Sequence, residues 1–406
     1  MAAALGVLVS CGSVKSGEEV VAASRDSKVV VAYVTSWSEV MPDPQYMTHI
    51  NYAFGHVNES FNGVKIDNEE RLRQIVDLRK QKPELKVLLS IGGWGSGRFS
   101  EMAANDEYRR AFAADCDRVV KEFALDGIDI DWEYPTSSMA NISSSPDDTE
   151  NFTLLMQDIR AAIGNEKELT LATVASARYI DFKAILPSVD FVNIMAYDMA
   201  SAPKHHSALY PSGHSGDITS DGAVTAHLKA GVPPSKLVMG MPFYGRGGDG
   251  YPSFQDYNKV GNTDTQYTEK WDEVAQVPYL ADKNDTLVFG FENPRSLAIK
   301  CQYILDKDLL GGMYWDYSGD NEQGDLRRTV AENLLGKPHK AKVLVLTERG
   351  GQHGGFTDAG LRWLAAEGVK GNFSITEINN ARNITEAYLS QFSLVIQLDF
   401  PPYTWP

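Results

Sequence analysis

The sequence contains little cysteine and few long apolar runs. It has three cysteines in 406 residues, and two of them, Cys116 and Cys301, lie far apart in segments with a helical pattern. This placement gives no support to a disulfide, and we expect both to be buried free thiols. Beyond the first few residues, no apolar stretch is long enough to span a membrane.

Positive charge is also scarce. The chain carries 38 lysines and arginines against 54 aspartates and glutamates, a formal net charge of -16 at pH 7. So acidic a chain is unsuited to nucleic acid or to anionic membrane surfaces, and neither is expected as a partner.

The sequence lacks the patterns that hold a metal or a cofactor. None of the eight histidines has metal-ligand spacing. His205, His206 and His214 fall in a loop with Ser, Pro and Gly after the sixth strand, where we expect them to be solvated. We assign no metal and no cofactor.

What the sequence does contain is a row of acids in one short apolar segment. The run DGIDIDWEYP extends from Asp126 to Pro135. In an extended strand alternate side chains share a face, so Asp129, Asp131 and Glu133 should project together while the intervening Ile, Ile and Trp pack behind them. Like charges this close cannot all stay ionised at neutral pH, so at least one should hold a proton and act as a general acid.

An acidic edge strand or a cation site is the alternative interpretation of this run. Calcium loops also carry spaced acids, but they usually lie in turns rich in Gly, Asn and Asp. Here the acids alternate with Ile, Ile and Trp, which is typical of a buried strand. The run therefore favours a catalytic site.

The spacing of the acids limits the mechanism. A glycosidase with two protein carboxylates needs them on opposite sides of the scissile bond. Same-face positions rise along one wall, about 6 to 7 Å apart, so Glu133 can protonate a leaving group but Asp131 is badly placed to attack the opposite face. The nucleophile must then come from elsewhere.

Apolar runs and helical patterns alternate through most of the chain. The runs predict eight strands, at 29–34, 48–55, 86–92, 127–133, 169–175, 189–197, 236–243 and 311–317. Helical stretches include 67–83, 107–124, 148–164, 219–230, 294–306 and 324–335. The alternation predicts an α/β fold, namely a (β/α)8 TIM barrel over residues 28–336. In such a barrel the active site lies at the C-terminal ends of the strands.

Four further segments follow apolar runs in a fixed order: SIGGW at Ser90–Trp94, MAYD at Met195–Asp198, GMPFYGR at Gly240–Arg246 and GGMYWDY at Gly311–Tyr317. With the acidic run, they resemble the successive strand-end motifs of family 18 glycoside hydrolases, the chitinase family, over about residues 28–336. The resemblance implies retaining cleavage of β-1,4 bonds in chitin or N-acetylglucosamine oligosaccharides, by substrate assistance through an oxazolinium intermediate.

The resemblance also implies catalytic roles. Glu133 matches the general acid that later acts as a base. Asp131 matches the residue that orients and stabilises the acetamido group, and Asp129 the residue that shares a proton with it. Tyr197 matches a phenol that donates to the acetamido carbonyl oxygen. Asp126, in the turn before the strand, is interpreted as structural, satisfying backbone N–H groups at the edge of the barrel.

Three more positions match residues that contact the sugar. Asp198 resembles the partner of Tyr197 at the acetamido group. Trp315, at the end of the last strand, can form the apolar floor under the reacting sugar, with plain core packing as its alternative. Trp94 matches a stacking surface beyond the cleavage point.

The remaining matches are supporting positions. Tyr33 and Ser90 match inner positions that hold the aspartates. Tyr244 and Arg246 resemble substrate-contacting groups after the seventh strand, although an arginine beside several acids can equally be a structural counter-ion. Met195 belongs to the family pattern, although methionine at such a site is more often core.

Two alternatives to a chitinase remain. One is a catalytically silent, lectin-like sugar-binding barrel, but such relatives have typically lost the acid, whereas Glu133 is present. The other is an endo-β-N-acetylglucosaminidase acting on N-glycans, but MAYD and SIGGW resemble the motifs of the chitinase branch more than those of that branch.

The insertion between Arg246 and Phe291, before the last strand, is short, and this predicts a shallow groove suited to short oligosaccharides.

Residues 1–27 are interpreted as an export signal and a tether. The start MAAALGVLVSCGS resembles a bacterial lipoprotein cleavage site with Cys11 as the lipidated residue, although no Lys or Arg precedes its apolar run. The following stretch is small and polar, as a tether should be. We expect an exported monomer, either a cell-envelope lipoprotein or a secreted protein, that meets a membrane only through its lipid anchor.

The pattern changes after about Gly336. Residues 341–406 read as strand, glycine-rich loop and helix, with a later apolar run SLVIQLDF, which predicts a partial, flavodoxin-like α/β segment outside the barrel. The loop lacks both the GxGxxG and the lysine-bearing phosphate-loop patterns. The segment resembles the first part of a trehalose-utilisation, glutamine-amidotransferase-like domain, and we assign it no activity.

Overall fold

The computed structural model describes residues 28–248, 251–260 and 266–336, and further along the chain 341–347, 357, 359–364, 373–378, 389 and 392–398. Two compact units divide the chain after residue 336. The predicted signal and tether, with Cys11, lie outside the described residues. Within the described part, no helix is both long and apolar enough to cross a membrane.

The first unit alternates strands with helices. Its strands are β1 (Val29–Thr35), β2 (His49–Val57), β3 (Val64–Ile66), β4 (Lys86–Gly92), β5 (Gly127–Asp131), β6 (Glu168–Val174), β7 (Phe191–Met195), β8 (Leu237–Pro242), β9 (Tyr244–Gly247), β10 (Gln255–Asp256), β11 (Thr268–Asp272), β12 (Val277–Ala281), β13 (Leu287–Gly290) and β14 (Gly311–Trp315). Its helices are α1 (Glu69–Val76), α2 (Phe99–Ala104), α3 (Asp106–Glu122), α4 (Asp148–Ile163), α5 (Phe182–Ile185), α6 (Ser220–Lys229), α7 (Pro294–Asp306) and α8 (Asp325–Leu335).

Eight of these strands form a closed parallel barrel. Strands β1, β14, β8, β7, β6, β5, β4 and β2 are neighbours in that order, and β1 pairs with β2 to close the ring. Strand β3 is added antiparallel to β2. The predicted (β/α)8 barrel is confirmed, with all eight predicted strands in place.

The barrel strands are apolar on both sides because both sides are buried. In β1, Val30, Ala32 and Val34 pack in the core between strands and helices. The alternate residues Val31 and Tyr33 pack in a second core inside the barrel. A strand covered on both faces appears in the sequence as one continuous apolar run.

The helices cover the barrel through apolar stripes. In α4 the buried residues Phe152, Leu155 and Ile159 recur every three or four positions, as one face of a helix requires. Helix α7 begins with a capping box formed by Asn293 and Ser296. The short helices α2 and α5 were not predicted, since neither spans two full turns.

The insertion before the last barrel strand is a small antiparallel sheet. Its five strands lie in the order β10, β9, β13, β12 and β11. Leu280, Val288, Phe289 and Phe291 form its own apolar cluster. The insertion is short, as predicted, but its sheet was not foreseen.

This sheet explains one wrong prediction. We expected His205 and His206 to be solvated, but both are buried. Strands of the insertion cover their loop: His205 Nε2 lies 3.2 Å from Asp272 Oδ2, and its ring packs edge-on against Tyr279. A loop predicted to lie at the surface thus becomes an interior layer. His214 is exposed as expected.

Both cysteines of the barrel unit, Cys116 and Cys301, are buried and free, as predicted.

The second unit contains a three-stranded parallel sheet of β15 (Ala341–Thr347), β16 (Phe373–Ile378) and β17 (Leu394–Leu398), with β15 in the centre. Leu344 and Leu346 face one apolar cluster, and Val343 and Val345 face another. Its resemblance to a trehalose-utilisation domain stays a prediction.

Candidate active site

The C-terminal ends of the barrel strands surround a cavity of about 630 Å³. Ten of the predicted site residues line it, namely Tyr33, Trp94, Asp131, Glu133, Met195, Tyr197, Asp198, Tyr244, Arg246 and Trp315. Asp129 and Ser90 are buried inside the barrel. The sequence motifs, which are dispersed over more than half of the chain, therefore meet at one end of the barrel.

Strand β5 carries the acidic row to this cavity. Ile128, Ile130 and Trp132 pack in the outer core, so the alternate aspartates face the barrel interior. The strand ends at Asp131, two residues sooner than predicted, because its partner β4 also ends there, with Gly92 opposite Asp131. Glu133 lies beyond the paired strand, in the cavity wall.

Two motif glycines permit close approaches at the site. A Cβ on Gly92, whose φ is +131°, would lie 2.0 Å from the carbonyl oxygen of Asp131. A Cβ on Gly240 would lie 2.3 Å from the carbonyl oxygen of Ile194 and 2.9 Å from the ring of Tyr197. A side chain at either position would displace a predicted catalytic residue.

Asp129 is buried and fully engaged. Its Oδ2 accepts hydrogen bonds from the hydroxyls of Tyr33 (2.9 Å) and Ser90 (2.8 Å). Its Oδ1 accepts from Thr170 Oγ1 (2.6 Å) and Asn193 Nδ2 (3.3 Å). Burial raises the pKa of Asp129, although these four donors oppose the shift. Tyr33 and Ser90 therefore hold an aspartate, the position in which the resemblance places them.

Asp131 differs from Asp129 in its hydrogen bonding. It is buried, yet among the described residues its Oδ1 has no hydrogen-bond partner. Burial, and then the charges of Glu133 and Asp129, raise the pKa of Asp131 well above its usual value. An unpartnered buried carboxyl is costly to the fold, so this oxygen is available for a ligand in the cavity.

Glu133 combines burial with access to the cavity. Burial, and then the charge of Asp198, raise the pKa of Glu133 to about 7. A carboxyl with that pKa still holds its proton near neutral pH, as a general acid must. Glu133 thus has the electrostatic property that the sequence predicted for one member of the row.

The Tyr197 hydroxyl has one weak contact in the cavity wall, to Met313 Sδ at 3.8 Å. Burial, and then the charge of Asp131, raise the pKa of the Tyr197 phenol well above its usual value. The phenol therefore keeps its proton, and sulfur is a weak acceptor. A ligand oxygen in the cavity can replace this contact.

Asp198 and Arg246 form a bidentate ion pair at the cavity. Arg246 Nε and Nη2 lie 2.6 and 2.8 Å from the two carboxylate oxygens. Although burial acts to raise it, the pKa of the Asp198 carboxyl is held well below its usual range by its bonds with Arg246 and His206. Arg246 lines the cavity and is the counter-ion of Asp198, whereas its contact with a substrate stays a prediction.

Aromatic rings form one side of the cavity. Trp315 stacks on Phe54, with ring centroids 5.6 Å apart, and also contacts Tyr33 at 5.6 Å and Trp37 at 6.5 Å. Trp94 is 62 % exposed. Met195 is both buried in the inner core and part of the lining.

Several residues of the site were not predicted from the sequence. Trp37 and Phe54 line the cavity. Trp37 lies two residues after the end of β1, and Phe54 lies within β2, three residues before its end, so their place near the C-terminal ends of strands was the available signal. Thr170 and Asn193, which donate to Asp129, are polar residues inside apolar strands, and that pattern also marks a buried acid's partners.

Asp126 lies at the other end of β5, away from the cavity. Its Oδ2 accepts a hydrogen bond from the backbone N–H of Val87 at 2.7 Å and pairs with Arg79.

In the part of the chain that the structure describes, no cluster of His, Cys, Asp and Glu could hold a metal ion.

A closed (β/α)8 barrel with a proton-holding carboxyl and an aromatic-lined cavity at its strand ends is typical of a barrel glycosidase. Comparison with known proteins gives the family. The family model described as "Glycosyl hydrolases family 18" matches residues 29–320, and the chain belongs to this family.

Individual relatives agree with this assignment. Chitinase A1 of Niallia circulans is 30 % identical, over 74 % of this chain and 58 % of the relative. Chitotriosidase-1 of Mus musculus is 31 % identical, over 73 % of this chain and 74 % of the relative. The solved structure of a family 18 N-acetylglucosaminidase from Paenibacillus barengoltzii has 32 % identity and a TM-score of 0.70, and it covers 76 % of this chain and all of its own.

Proposed function

We propose that the barrel unit is a retaining hydrolase of β-1,4 bonds in chitin or its oligosaccharides, and that it uses the substrate's own acetamido group as the nucleophile. The observation that carries the proposal is Glu133, a cavity-lining carboxyl whose pKa burial raises to about 7. Relatives of this chain include proteins named as chitinases, which supports the choice of substrate.

The state of the other carboxylates supports substrate assistance. The described carboxylates that line the cavity are Asp131, Glu133 and Asp198. Asp198 is neutralised by Arg246. Asp131 follows Asp129 along the same wall as Glu133, so it is badly placed to attack the sugar from the opposite face. A nucleophile on the opposite face of the sugar must then come from the substrate.

The first step is the departure of the leaving group. Glu133 donates its proton to the glycosidic oxygen as the bond from that oxygen to C1 breaks. The acetamido carbonyl oxygen forms the new bond to C1, which gives an oxazolinium ion. Glu133 is then a carboxylate, and in the second step it takes a proton from water as the water oxygen attacks C1 and reopens the ring. Two inversions at C1 retain its configuration.

Asp131 and Tyr197 would hold the acetamido group. The unpartnered Oδ1 of Asp131 can accept the amide N–H and stabilise the positive charge that develops on nitrogen. The Tyr197 phenol, which keeps its proton, can donate to the carbonyl oxygen. The Asp131 contact strengthens as positive charge develops on the nitrogen, so it favours the transition state over the bound substrate. The Tyr197 contact orients the carbonyl oxygen for its attack on C1.

Trp315 would form the floor beneath the reacting sugar. The Phe54 ring packs against the indole and Tyr33 contacts it as well, so its orientation is fixed before a ligand binds. A fixed aromatic surface stacks on the C–H face of a sugar without loss of side-chain freedom. This arrangement would place C1 over the barrel axis, near Glu133.

The experiment that tests the function is hydrolysis of N-acetylated chitotetraose, with products resolved by mass and anomer. The proposal expects shorter N-acetylated products with the β-anomer released first. Release of the α-anomer would contradict retention. If no cleavage occurs but the sugar binds, the lectin-like alternative gains support; cleavage of N-glycans alone would favour the endo-β-N-acetylglucosaminidase.

A further inference from the structure

The loop between β6 and α5, residues 175–181, forms one border of the active-site cavity and is here called the β6 loop. Ala175, Ser176, Arg178 and Tyr179 of this loop line the cavity. Arg178 is not among the predicted site residues, and the proposed mechanism does not use it. Its side chain is exposed, so its positive charge meets any ligand that enters the cavity.

Arg178 is a positive charge that no acid of the cavity balances. Of the two arginines in the described lining, Arg246 is paired with Asp198 through both carboxylate oxygens. The other two lining carboxyls, Asp131 and Glu133, have raised pKa values and hold protons below pH 7. Arg178 forms no ion pair with a described acid. The described lining therefore has a net positive charge below pH 7, although the whole chain carries -16.

Two contacts orient the Arg178 guanidinium. Its Nε donates a hydrogen bond to Ser176 Oγ at 3.0 Å, and its Cζ lies 5.4 Å from the centre of the Tyr179 ring. Among the described residues, Nη1 and Nη2 have no hydrogen-bond partner. These two nitrogens form the end of the guanidinium fork, whose geometry matches two oxygens of one anionic group.

The backbone is strained on both sides of Arg178. Ala177 has a φ of 56° and Tyr179 a φ of 76°, in the left-handed region that residues other than glycine rarely adopt. The turn is fixed by a bond from the Ala177 N–H to the carbonyl of Val174 at 3.0 Å and by one from Thr149 Oγ1 to the carbonyl of Tyr179 at 2.9 Å. Strained residues of this kind concentrate where a protein holds a ligand, and an arginine that only meets solvent does not require such a backbone.

Stacked tyrosines connect Arg178 with the general acid. The Tyr179 ring stacks on that of Tyr134, with centroids 5.5 Å apart and planes at 16°. Tyr134 directly follows Glu133, and all four residues line the same cavity. A glycan whose scissile bond lies at Glu133 and that passes over these rings therefore reaches the Arg178 guanidinium.

A neutral sugar makes little use of this guanidinium. Hydroxyl and acetamido groups can only accept ordinary hydrogen bonds from it, whereas bonds between two ionised partners are about twice as strong. The negative charge of the rest of the chain opposes an anion only weakly, because exposed charges are largely screened beyond about 8 Å at physiological ionic strength. The arrangement thus favours a ligand with a negative charge at this position.

We propose that Arg178 binds an anionic substituent, a carboxylate or a sulfate ester, on a sugar close to the scissile bond, so that the preferred substrate is an N-acetylglucosamine glycan that carries negative charge. This inference rests on the proposed function and narrows its substrate class. Cleavage at Glu133 is unchanged, because the substituent takes no part in the bond changes at C1.

The test compares glycans that differ in charge. One pair is N-acetylated chitotetraose with a lactyl ether on O3 of alternate sugars, as the free carboxylate in one member and as the uncharged amide in the other. The second pair is chitotetraose with and without sulfate esters on O6. kcat/KM is measured at pH 6 for the wild type, Arg178→Gln and Arg178→Lys. Arg110→Gln is the control, because it changes the net charge equally and Arg110 is exposed on α3, outside the cavity lining.

The wild type should prefer the charged member of at least one pair, and the pair that responds shows whether the group is a carboxylate or a sulfate. The ratio of kcat/KM for the charged member to that for the uncharged one should fall about three- to tenfold in Arg178→Gln, since the contact is exposed and partly screened. Arg178→Lys should recover part of the ratio, because lysine keeps the charge but not the fork. Added salt should lower the wild-type ratio.

Three results would overturn the proposal: no preference for a charged member in the wild type, the same ratios in Arg178→Gln as in the wild type, or an equal fall in Arg110→Gln. Each would leave the proposed function intact as long as chitotetraose is cleaved. If the wild type cleaves none of these sugars, the proposed function fails, and calorimetric binding of the same pairs to the full chain tests Arg178. The wild type must then bind a charged member more tightly than its uncharged partner, and Arg178→Gln must lose that preference; equal preferences in the two proteins would refute the site.

Discussion

The acids at the two ends of strand β5 differ in their hydrogen bonds and ion pairs. At the N-terminal end, Asp126 accepts the N–H of Val87 and pairs with Arg79. At the C-terminal end, Asp131 has a buried oxygen without a partner among the described residues, and Glu133 has a pKa raised to about 7. In this strand the paired acid, Asp126, joins two strands, whereas the two acids with raised pKa values, Asp131 and Glu133, line the cavity.

The N-terminal pattern recurs at a second pair of neighbouring strands. Asp190, the residue before β7, accepts the N–H of Leu169 in the neighbouring β6 at 2.8 Å and pairs with Arg160. Asp126 has the same relation to β5 and its neighbour β4. An acid just before a strand therefore ties that strand to the previous one, and the stability of the barrel is separated from its chemistry.

The largest expected effect is that of Glu133→Gln. Loss of a general acid should lower kcat about 10²- to 10⁴-fold, while binding persists because shape and most hydrogen bonds survive. The Tm should not fall at pH 8, since the variant removes a buried carboxyl whose ionisation opposes folding. Turnover of chitotetraose and calorimetric melting measure both effects. A large loss of Tm with kcat retained would place Glu133 among the structural acids.

Tyr197→Phe should have the next largest effect. If the phenol orients the acetamido carbonyl oxygen for its attack on C1, the loss of the hydroxyl should lower kcat about 10- to 100-fold. Tyr314→Phe is the matched control, because the Tyr314 hydroxyl is buried and unpartnered among the described residues and its ring packs on Phe243 away from the cavity. Equal kcat values for the two variants would contradict the role of Tyr197.

The pH dependence of kcat is a further test, and the expected change, about tenfold for each unit of pH, is smaller than the effects of the two substitutions. The acid must be protonated to react, and burial raises the pKa of Glu133 to about 7. We therefore expect kcat to be level just below pH 7 and to fall about tenfold per unit above it. A profile measured with chitotetraose that stays level to pH 9 would show that another group supplies the proton.

The fold could be predicted well because each barrel strand is buried on both faces. Runs such as VVVAYV in β1 contain no polar residue, and eight of them, separated by helical patterns, leave few alternatives to a barrel. The acids of β5 could be recognised because they interrupt such a run. Local pattern alone was enough for these features.

The features that were missed depend on contacts between distant segments. Trp37 becomes part of the site because its ring lies against that of Trp315, with centroids 6.5 Å apart, although Trp315 is in the last barrel strand and far away in the sequence. His205 is buried only because Asp272 and Tyr279 of the insertion cover its loop. Nothing within either local sequence specifies which distant segment will cover it.

The smallest expected effect on activity, and the clearest test of the N-terminal end, is that of Asp126→Ala. The variant leaves the N–H of Val87 without its acceptor and Arg79 without its partner. A buried backbone donor without a partner costs about 1–3 kcal/mol, and the ion pair, whose side chains are 24 % and 29 % exposed, adds little. The Tm of the barrel unit should therefore fall by a few degrees, while kcat on chitotetraose stays within about twofold. Asp126→Asn, whose amide oxygen can still accept from Val87, should recover most of the loss. If Asp126→Ala instead lowered kcat as strongly as Tyr197→Phe at unchanged Tm, the division between the two ends of the barrel would fail, because an acid remote from the cavity would then be acting on the chemistry.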